Sequence, residues 1–216
     1  MDASFFARLG LYVREDFLPA DTRSSLLATI RAAEASTSTL ARATGDAVDE
    51  SQRSSKWALV GDDVHDAMAE RVDALRPELE RHFERPLGPP QKPQFLVYRE
   101  GDHFQAHRDN SQTEATSDYA RDRAVSVVTF VNGEGDDDES FRGGTLTFYD
   151  LMGNLEHQIR RRSGGSEKVG LPLTGTPGLL VAFDSTALHG VSPVTQGERY
   201  TIVTWFRDAG DSGDAS

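Results

Sequence analysis

The chain predicts an α+β domain with helices packed on one side of an antiparallel sandwich or barrel. Amphipathic helical patterning fills the part before Lys92, and beyond it come short apolar segments separated by Gly-, Asp- and Ser-rich connections. No internal repeat and no linker interrupts the 216 residues, a length that suits one domain with a real core.

In order, Leu11 to Phe17 predicts a short strand, and Asp21 is expected to cap a helix with Leu26, Leu27 and Ile30 on one side. Residues 35–52, rich in Ser, Thr and Ala, are expected to form a surface loop, and Arg53 to Val60 a strand. A helix then starts at Asp62 or Asp63. Its stripe of Val64, Met68, Val72, Leu75, Leu79 and Phe83 steps by three and four along one buried face. Pro77 must kink that helix or restart it as a first-turn residue, and Pro86, Gly88, Pro89 and Pro90 end it. Strands are expected at 94–99, 104–108, 124–131, 144–149, 178–183 and 199–206. Two connections, 110–123 and 150–176, are too long for simple turns, the length of lids or disordered segments. A helical part at about 1–90, a β core at about 91–207 and a disordered acidic tail at 208–216 complete the expected organisation.

Composition narrows the function classes. Apolar residues make up 37% and charged residues 27%, ordinary for a globular protein, and no apolar run reaches membrane-spanning length. The net charge of −12 argues against attraction to nucleic acid or to an anionic membrane. With no cysteine, disulfides, thiolate metal sites and thiol nucleophiles are all excluded. Met1 to Phe6 does not read as a secretory signal, so a cytoplasmic location is expected. The acidic cluster Glu134, Asp136, Asp137, Asp138 and Glu139 reads as a solvated loop, lacking the full spacing of a calcium loop.

The chemistry lies in four residues. Strand alternation puts His107 and Asp109 on one face, and His189 follows the buried-looking run Val181-Ala182-Phe183-Asp184. Two imidazoles and one carboxylate hold non-haem Fe(II) on one side and leave other positions open. Arg199 begins the last strand, with Thr201 and Val203 on its face and Tyr200, Ile202 and Thr204 on the other; it suits a dicarboxylate cosubstrate beside the metal. His-x-Asp alone is a weak signal; the distal histidine and arginine give it weight. His65 and His82 read as helix-edge residues and His157 as a loop residue, while His103 competes for the metal only if 103–107 is helical.

The segment Tyr98-Arg99-Glu100-Gly101-Asp102-His103-Phe104-Gln105-Ala106-His107-Arg108-Asp109 resembles the Tyr-x-x-Gly-x-x-Phe/Tyr-x-x-His-x-Asp signature of the prolyl 4-hydroxylase-like branch of the Fe(II)/2-oxoglutarate oxygenases. Gly143 to Phe148 is similar to that branch's Gly-Gly strand, His189 to Val194 and Gly197 to Trp205 to its closing motif, and Arg53-Ser54-Ser55 to its upstream Arg-x-Ser strand. The resemblance runs from about residue 10 to 207 and implies a double-stranded β-helix (jelly-roll) core with N-terminal helices on one side.

It also implies Fe(II) with 2-oxoglutarate and O₂, often with ascorbate as reductant. His107, Asp109 and His189 would be the ligands, and Arg199, Tyr98 and Thr129 would hold 2-oxoglutarate, Thr129 as an inward residue of the strand Val125–Val131. Trp205, on the Arg199 face unless a bulge intervenes, would line the pocket or serve as a core aromatic. Collagen-type members carry lysine at the Arg199 position, which favours the oxygen-sensor-like and bacterial members. Halogenating relatives replace the Asp109 carboxylate with a small residue, and nucleic-acid demethylases carry a second arginine where Trp205 stands. The implied reaction is therefore hydroxylation with release of succinate and CO₂, on a prolyl residue of a peptide or protein. The alternatives are a free amino acid or other small metabolite as substrate and, more distantly, a non-catalytic jelly-roll binding module.

Overall fold

The computed structural model describes residues 2–40, 54–110, 118–151 and 170–211, without the side chains of 34–40, 118, 119 and 211. Two antiparallel sheets face each other. The major sheet has the order β1-β10-β6-β13-β4-β2, formed by Tyr12–Arg14, Leu180–Asp184, Arg123–Phe130, Arg199–Asp208, Gln94–Tyr98 and Lys56–Trp57, with β3 (Leu87–Pro90) also pairing to β13. The minor sheet has the order β5-β11-β8-β9, formed by Phe104–His107, Leu188–Val191, Leu146–Tyr149 and Gly170–Leu173. A short ribbon of β7 (Arg142–Gly143) and β12 (Val194–Gln196) adjoins them. This is the expected α+β jelly roll.

The long strands of the major sheet are buried on both faces, so they read as continuous apolar runs rather than clean alternation. One face packs on helices α2 (Ala20–Leu40), α3 (Asp62–Asp73) and α4 (Arg76–Phe83). There Leu27, Ile30, Met68, Val72 and Leu79 meet Val125, Val127, Leu180, Tyr200 and Ile202. The other face looks into the space between the sheets, where Leu96, Tyr98, Val128, Phe130, Val181 and Phe183 meet Leu146, Phe148 and Leu173.

Several expectations are corrected here. The helix expected to stop before residue 35 continues to Leu40, because no Gly or Pro interrupts Ala20–Leu40 and alanine sustains it. Asp21 sits inside its first turn, where a negative charge suits the helix dipole, rather than at the cap. The strand expected at 53–60 shrinks to Lys56–Trp57, and Arg53 lies outside the described residues, as do 41–52. Pro77 restarts the second helix within the first turn of α4, and Glu84 ends that helix in the left-handed region at φ 51°. The Pro-rich stretch after α4 is not merely a stop: β3 pairs with β13 alone, an edge position that tolerates proline. Asp208, placed in the tail by composition, is the last residue of β13, and its carboxylate takes a 2.9 Å hydrogen bond from Arg85 Nε.

Of the two long connections, residues 111–117 and 152–169 lie outside the described residues, including His157 and Arg160 to Arg162. The first is tied at its ends by buried Asn110, whose Nδ2 donates to the carbonyls of Arg121 (2.7 Å) and Arg123 (2.8 Å). In the acidic loop, Asp137 accepts from the Ser140 hydroxyl at 2.7 Å and Asp136 pairs with Arg142. No helix among the described residues is long and apolar enough to cross a membrane.

Candidate active site and metal centre

His107 ends β5 and stands directly opposite His189 of β11 in the register of the minor sheet. Their rings lie 4.4 Å apart between centroids. Asp109 follows two residues after His107 and completes a group in which one ligand atom from each residue lies within 4.8 Å of the others. His107 Nε2 is 3.4 Å from Asp109 Oδ1, and His189 Nε2 is 3.8 Å from Oδ2. With metal–ligand bonds of about 2.0–2.2 Å, neighbouring ligands stand ~3 Å apart, so the three atoms are spaced to surround an ion.

Two further observations fit a metal. Both imidazoles place Nδ1 2.9 Å from a backbone carbonyl two residues earlier, Gln105 for His107 and Ala187 for His189. Nδ1 therefore carries the proton and Nε2 presents its lone pair to the site. Asp109 is held ionised. Burial opposes its charge, but the His189 field, the His107 contact and the Ser126 hydroxyl outweigh it and hold the carboxyl well below the usual carboxylate range. Ser126 donates to Asp109 Oδ2 at 2.6 Å and is itself 2.9 Å from the Ser185 hydroxyl. Burial also lowers the pKa of His189, with the Asp109 carboxylate acting against that shift. His103 is not part of the group: it precedes β5, with its backbone N–H bonded to Ser54 Oγ at 2.9 Å.

A bulge in β5 shapes this end of the site. His189 pairs with His107 but Val191 pairs with Phe104, so Gln105 and Ala106 together oppose Gly190. Phe104 and His107 thereby reach one face, and their rings stack at 3.6 Å. A Cβ on Gly190 would meet the Ala106 nitrogen and the Phe104 carbonyl at 3.1 Å, so glycine permits the close approach.

Arg199 lines the same cavity as the three candidate ligands. It is 1% exposed, and its guanidinium sits 4.9 Å from the Tyr98 ring and 5.0 Å from the Phe130 ring. Register places Tyr98 opposite Arg199 on β4. Burial works against the positive charge, with Tyr98 and Glu134 partly offsetting it. Among the described residues no carboxylate forms a salt bridge with Arg199; its Nη1 donates to Thr201 Oγ1 at 3.3 Å, Tyr98 supports its charge, and its Nε has no partner. A buried cation in that state is costly without an anion, and its planar fork fits a carboxylate. A buried guanidinium with no carboxylate partner among the described residues thus fits 2-oxoglutarate.

Thr129 is not in this pocket. Ser126 reaches Asp109, which fixes the even-numbered residues of β6 from Ser126 onward as pocket-facing, and regular pairing with β10 and β13 carries that parity through 129. Thr129 therefore points toward the helices, between Leu180 and Ile202, with its hydroxyl buried and unpartnered. The hydroxyl beside Arg199 belongs to Thr201, which sequence parity placed on the Arg199 face without giving it a role.

A cavity of about 470 Å³ joins these parts, lined by Tyr98, the three candidate ligands, Arg199, Thr201 and Trp205 among others. Unbroken register from Arg199 to Phe206 keeps Trp205 on the Arg199 face. Arg123, which sequence reasoning passed over, stacks on Trp205 at 3.5 Å. A second bulge explains it: Phe206 pairs with Val125 but Arg207 with Arg123, so the extra residue Ala124 turns Arg123 to the pocket side. Such a bulge leaves no mark in the apolar pattern.

Residues 93–207 match the model of the 2OG-Fe(II) oxygenase superfamily, and the chain belongs to that family. PKHD-type hydroxylases are similar over about half of the chain: one from Psychrobacter sp. is 31% identical over 53% of this chain and 37% of its own length, and one from Pseudomonas putida 32% over 52% and 42%. The chain thus matches about two fifths of the length of these curated relatives. Among solved structures, a Pseudomonas putida prolyl-4-hydroxylase superposes with TM-score 0.64 at 22% identity, covering 93% of this chain and 94% of that one. A Trichoplax adhaerens prolyl hydroxylase, solved with a hypoxia inducible factor peptide, gives TM-score 0.66 at 19% identity over 100% and 91%. Both share the jelly-roll fold.

Proposed function

We propose that the chain is an Fe(II)- and 2-oxoglutarate-dependent dioxygenase that hydroxylates an unactivated C–H bond, with a prolyl residue of a peptide or protein as its substrate. The observation that carries this reading is the convergence of His107, Asp109 and His189 in one cavity with a fully buried Arg199 that forms no salt bridge among the described residues. When bound, Fe(II) and 2-oxoglutarate together convert O₂ into an oxidant able to take hydrogen from such a bond, with release of succinate and CO₂.

The protein's own residues bind, orient and exclude. His107, Asp109 and His189 hold the metal, with Ser126 and the two backbone carbonyls fixing their orientation. Arg199 takes the distal carboxylate of 2-oxoglutarate, with Thr201 and Tyr98 beside it. Leu96, Val128, Leu146 and Val203 line the cavity and keep bulk water from the reacting centre. The prolyl substrate is supported by the resemblance to the prolyl 4-hydroxylase-like branch and by the two prolyl hydroxylases of like fold.

The test supplies Fe(II), 2-oxoglutarate and O₂ with proline-containing peptides, and follows succinate and a product heavier by one oxygen. Iron-dependent succinate and the oxygenated peptide are expected from the native chain, and neither from Asp109→Ala. A native chain that turns over no 2-oxoglutarate under any condition would sink the enzyme reading; turnover without oxygenated proline would sink the substrate.

A further inference from the structure

The chain around His107, Asp109 and His189 is fastened at one place outside the cavity, the corner where β10 leaves the major sheet and β11 enters the minor one. Three residues, Ser185 to Ala187, join Asp184 to Leu188 there. The Ala187 carbonyl lies 2.9 Å from His189 Nδ1 and fixes the tautomer of that imidazole. The Ser185 hydroxyl is 2.9 Å from the Ser126 hydroxyl, which donates to Asp109 Oδ2 at 2.6 Å. The Ser185 carbonyl accepts from the N–H of Asn110, the residue after Asp109, at 2.9 Å. The Thr186 carbonyl accepts from the guanidinium of Arg108, the residue between His107 and Asp109. Among the described residues that line the cavity, none belongs to this corner, so its contacts run to the ligands and not to the space they surround.

Asp184 closes the corner. Its Oδ1 accepts from the Thr186 N–H at 2.8 Å and from the Thr186 hydroxyl at 2.6 Å, and its carbonyl accepts from the Ala187 N–H at 2.8 Å. A carboxylate that takes a backbone N–H two residues further on locks a turn. The other oxygen, Oδ2, accepts from Arg85 Nη1 at 3.4 Å, and Arg85 in turn holds Asp208 at the end of β13. That outer link joins partly exposed side chains and adds little by itself. Ser185 is fully buried, with its N–H bonded to the Ala124 carbonyl at 3.0 Å, so the corner is pinned against β6 as well.

We propose that the corner Asp184–Ala187 is the positioning element of the metal centre, with the Asp184 carboxylate as the residue that sets it. Opening the turn moves the Ser185, Thr186 and Ala187 contacts together, and these bear on all three ligand residues at once. Metal affinity therefore depends on a carboxylate that is not itself a ligand. This rests on the metal reading of His107, Asp109 and His189 and adds to it the part of the chain that keeps them in place.

Mn(II) is titrated into metal-free protein by calorimetry, and Co(II), whose visible absorption follows coordination geometry, is added to saturation. Asp184→Ala should weaken Mn(II) binding roughly tenfold or more, the scale of removing a group that orients metal ligands, and should alter the Co(II) spectrum. Asp184→Asn keeps an oxygen for the Thr186 N–H and should restore near-native affinity and the native spectrum. Arg85→Gln removes only the outer link and should bind both ions as the native chain does. A merely structural role for Asp184 would instead follow the ion pair and weaken these two variants equally. The inference is overturned by native Mn(II) affinity or a native Co(II) spectrum in Asp184→Ala, or by Asp184→Asn or Arg85→Gln binding as weakly as Asp184→Ala. If Asp184→Ala does not fold, Ser185→Ala takes its place. It removes the hydroxyl behind Ser126 and should lower Mn(II) affinity several-fold, the scale of one hydrogen bond, and native affinity there overturns the inference. A native chain that binds neither ion overturns the metal reading itself, which separates that failure from a failure of the corner alone.

Discussion

The two faces of β13 use one strand for opposite purposes. Tyr200, Ile202 and Phe206 point to the helices and are almost fully buried in apolar contacts. Arg199, Thr201 and Trp205 point between the sheets, and two of the three bring polar groups into an equally buried setting. β6 repeats the division, with Val125 and Val127 on the helix side and Ser126 bonded to Asp109 on the other. Burial is thus the same on both faces while the chemistry differs. The helix face gains stability from area removed from water. The pocket face carries a buried charge, which in the proposed function the cosubstrate's carboxylate compensates.

A matched pair of substitutions on neighbouring residues tests that division at its largest amplitude. Arg199→Gln should weaken 2-oxoglutarate binding by ~100-fold or more, since truncating one partner of a buried charge pair costs about 2–5 kcal/mol. The same change should leave thermal stability equal or higher, because it removes a buried cation with no salt bridge among the described residues. Ile202→Ala should do the reverse. It costs about 2–5 kcal/mol of folding free energy through the cavity it opens, with little effect on cosubstrate affinity in the folded fraction. Chemical denaturation and calorimetry read both. If Arg199→Gln destabilises as much as Ile202→Ala, the guanidinium is a structural element and the division between faces fails.

Much of this was legible in the sequence. The helical stripe Val64 to Phe83 rests on helical periodicity, and the six main strands on apolar runs bounded by turn residues. His107, Asp109 and His189 come together as a group, although His189 lies within β11 (Leu188–Val191), a strand that the apolar pattern between 184 and 199 does not announce. What escaped needed information that pairing alone supplies. The face of Thr129 cannot be fixed within a strand apolar on both sides; it took the Ser126–Asp109 bond as an anchor. The β6 bulge at Ala124, which turns Arg123 into the cavity, and the β5 bulge beside His107 appear only as shifts of register. At 35–40 Ser and Thr suggest a loop, but no Gly or Pro ends the helix there.

The finest test compares two threonines that differ mainly in which way they face. Thr201 is fully buried and accepts from Arg199 at 3.3 Å; Thr129 is 1% exposed and its hydroxyl has no partner. Thr201→Val keeps the shape and removes the acceptor, so 2-oxoglutarate affinity should fall several-fold, the scale of one hydrogen bond at ~1 kcal/mol. Thr129→Val should leave that affinity unchanged. It should also leave the fold as stable or raise its stability by up to ~1 kcal/mol, because an unsatisfied hydroxyl is replaced by a methyl against Leu180 and Ile202. Loss of cosubstrate affinity in Thr129→Val, with Thr201→Val unaffected, would reverse the parity of β6 and β13 and return Thr129 to the pocket.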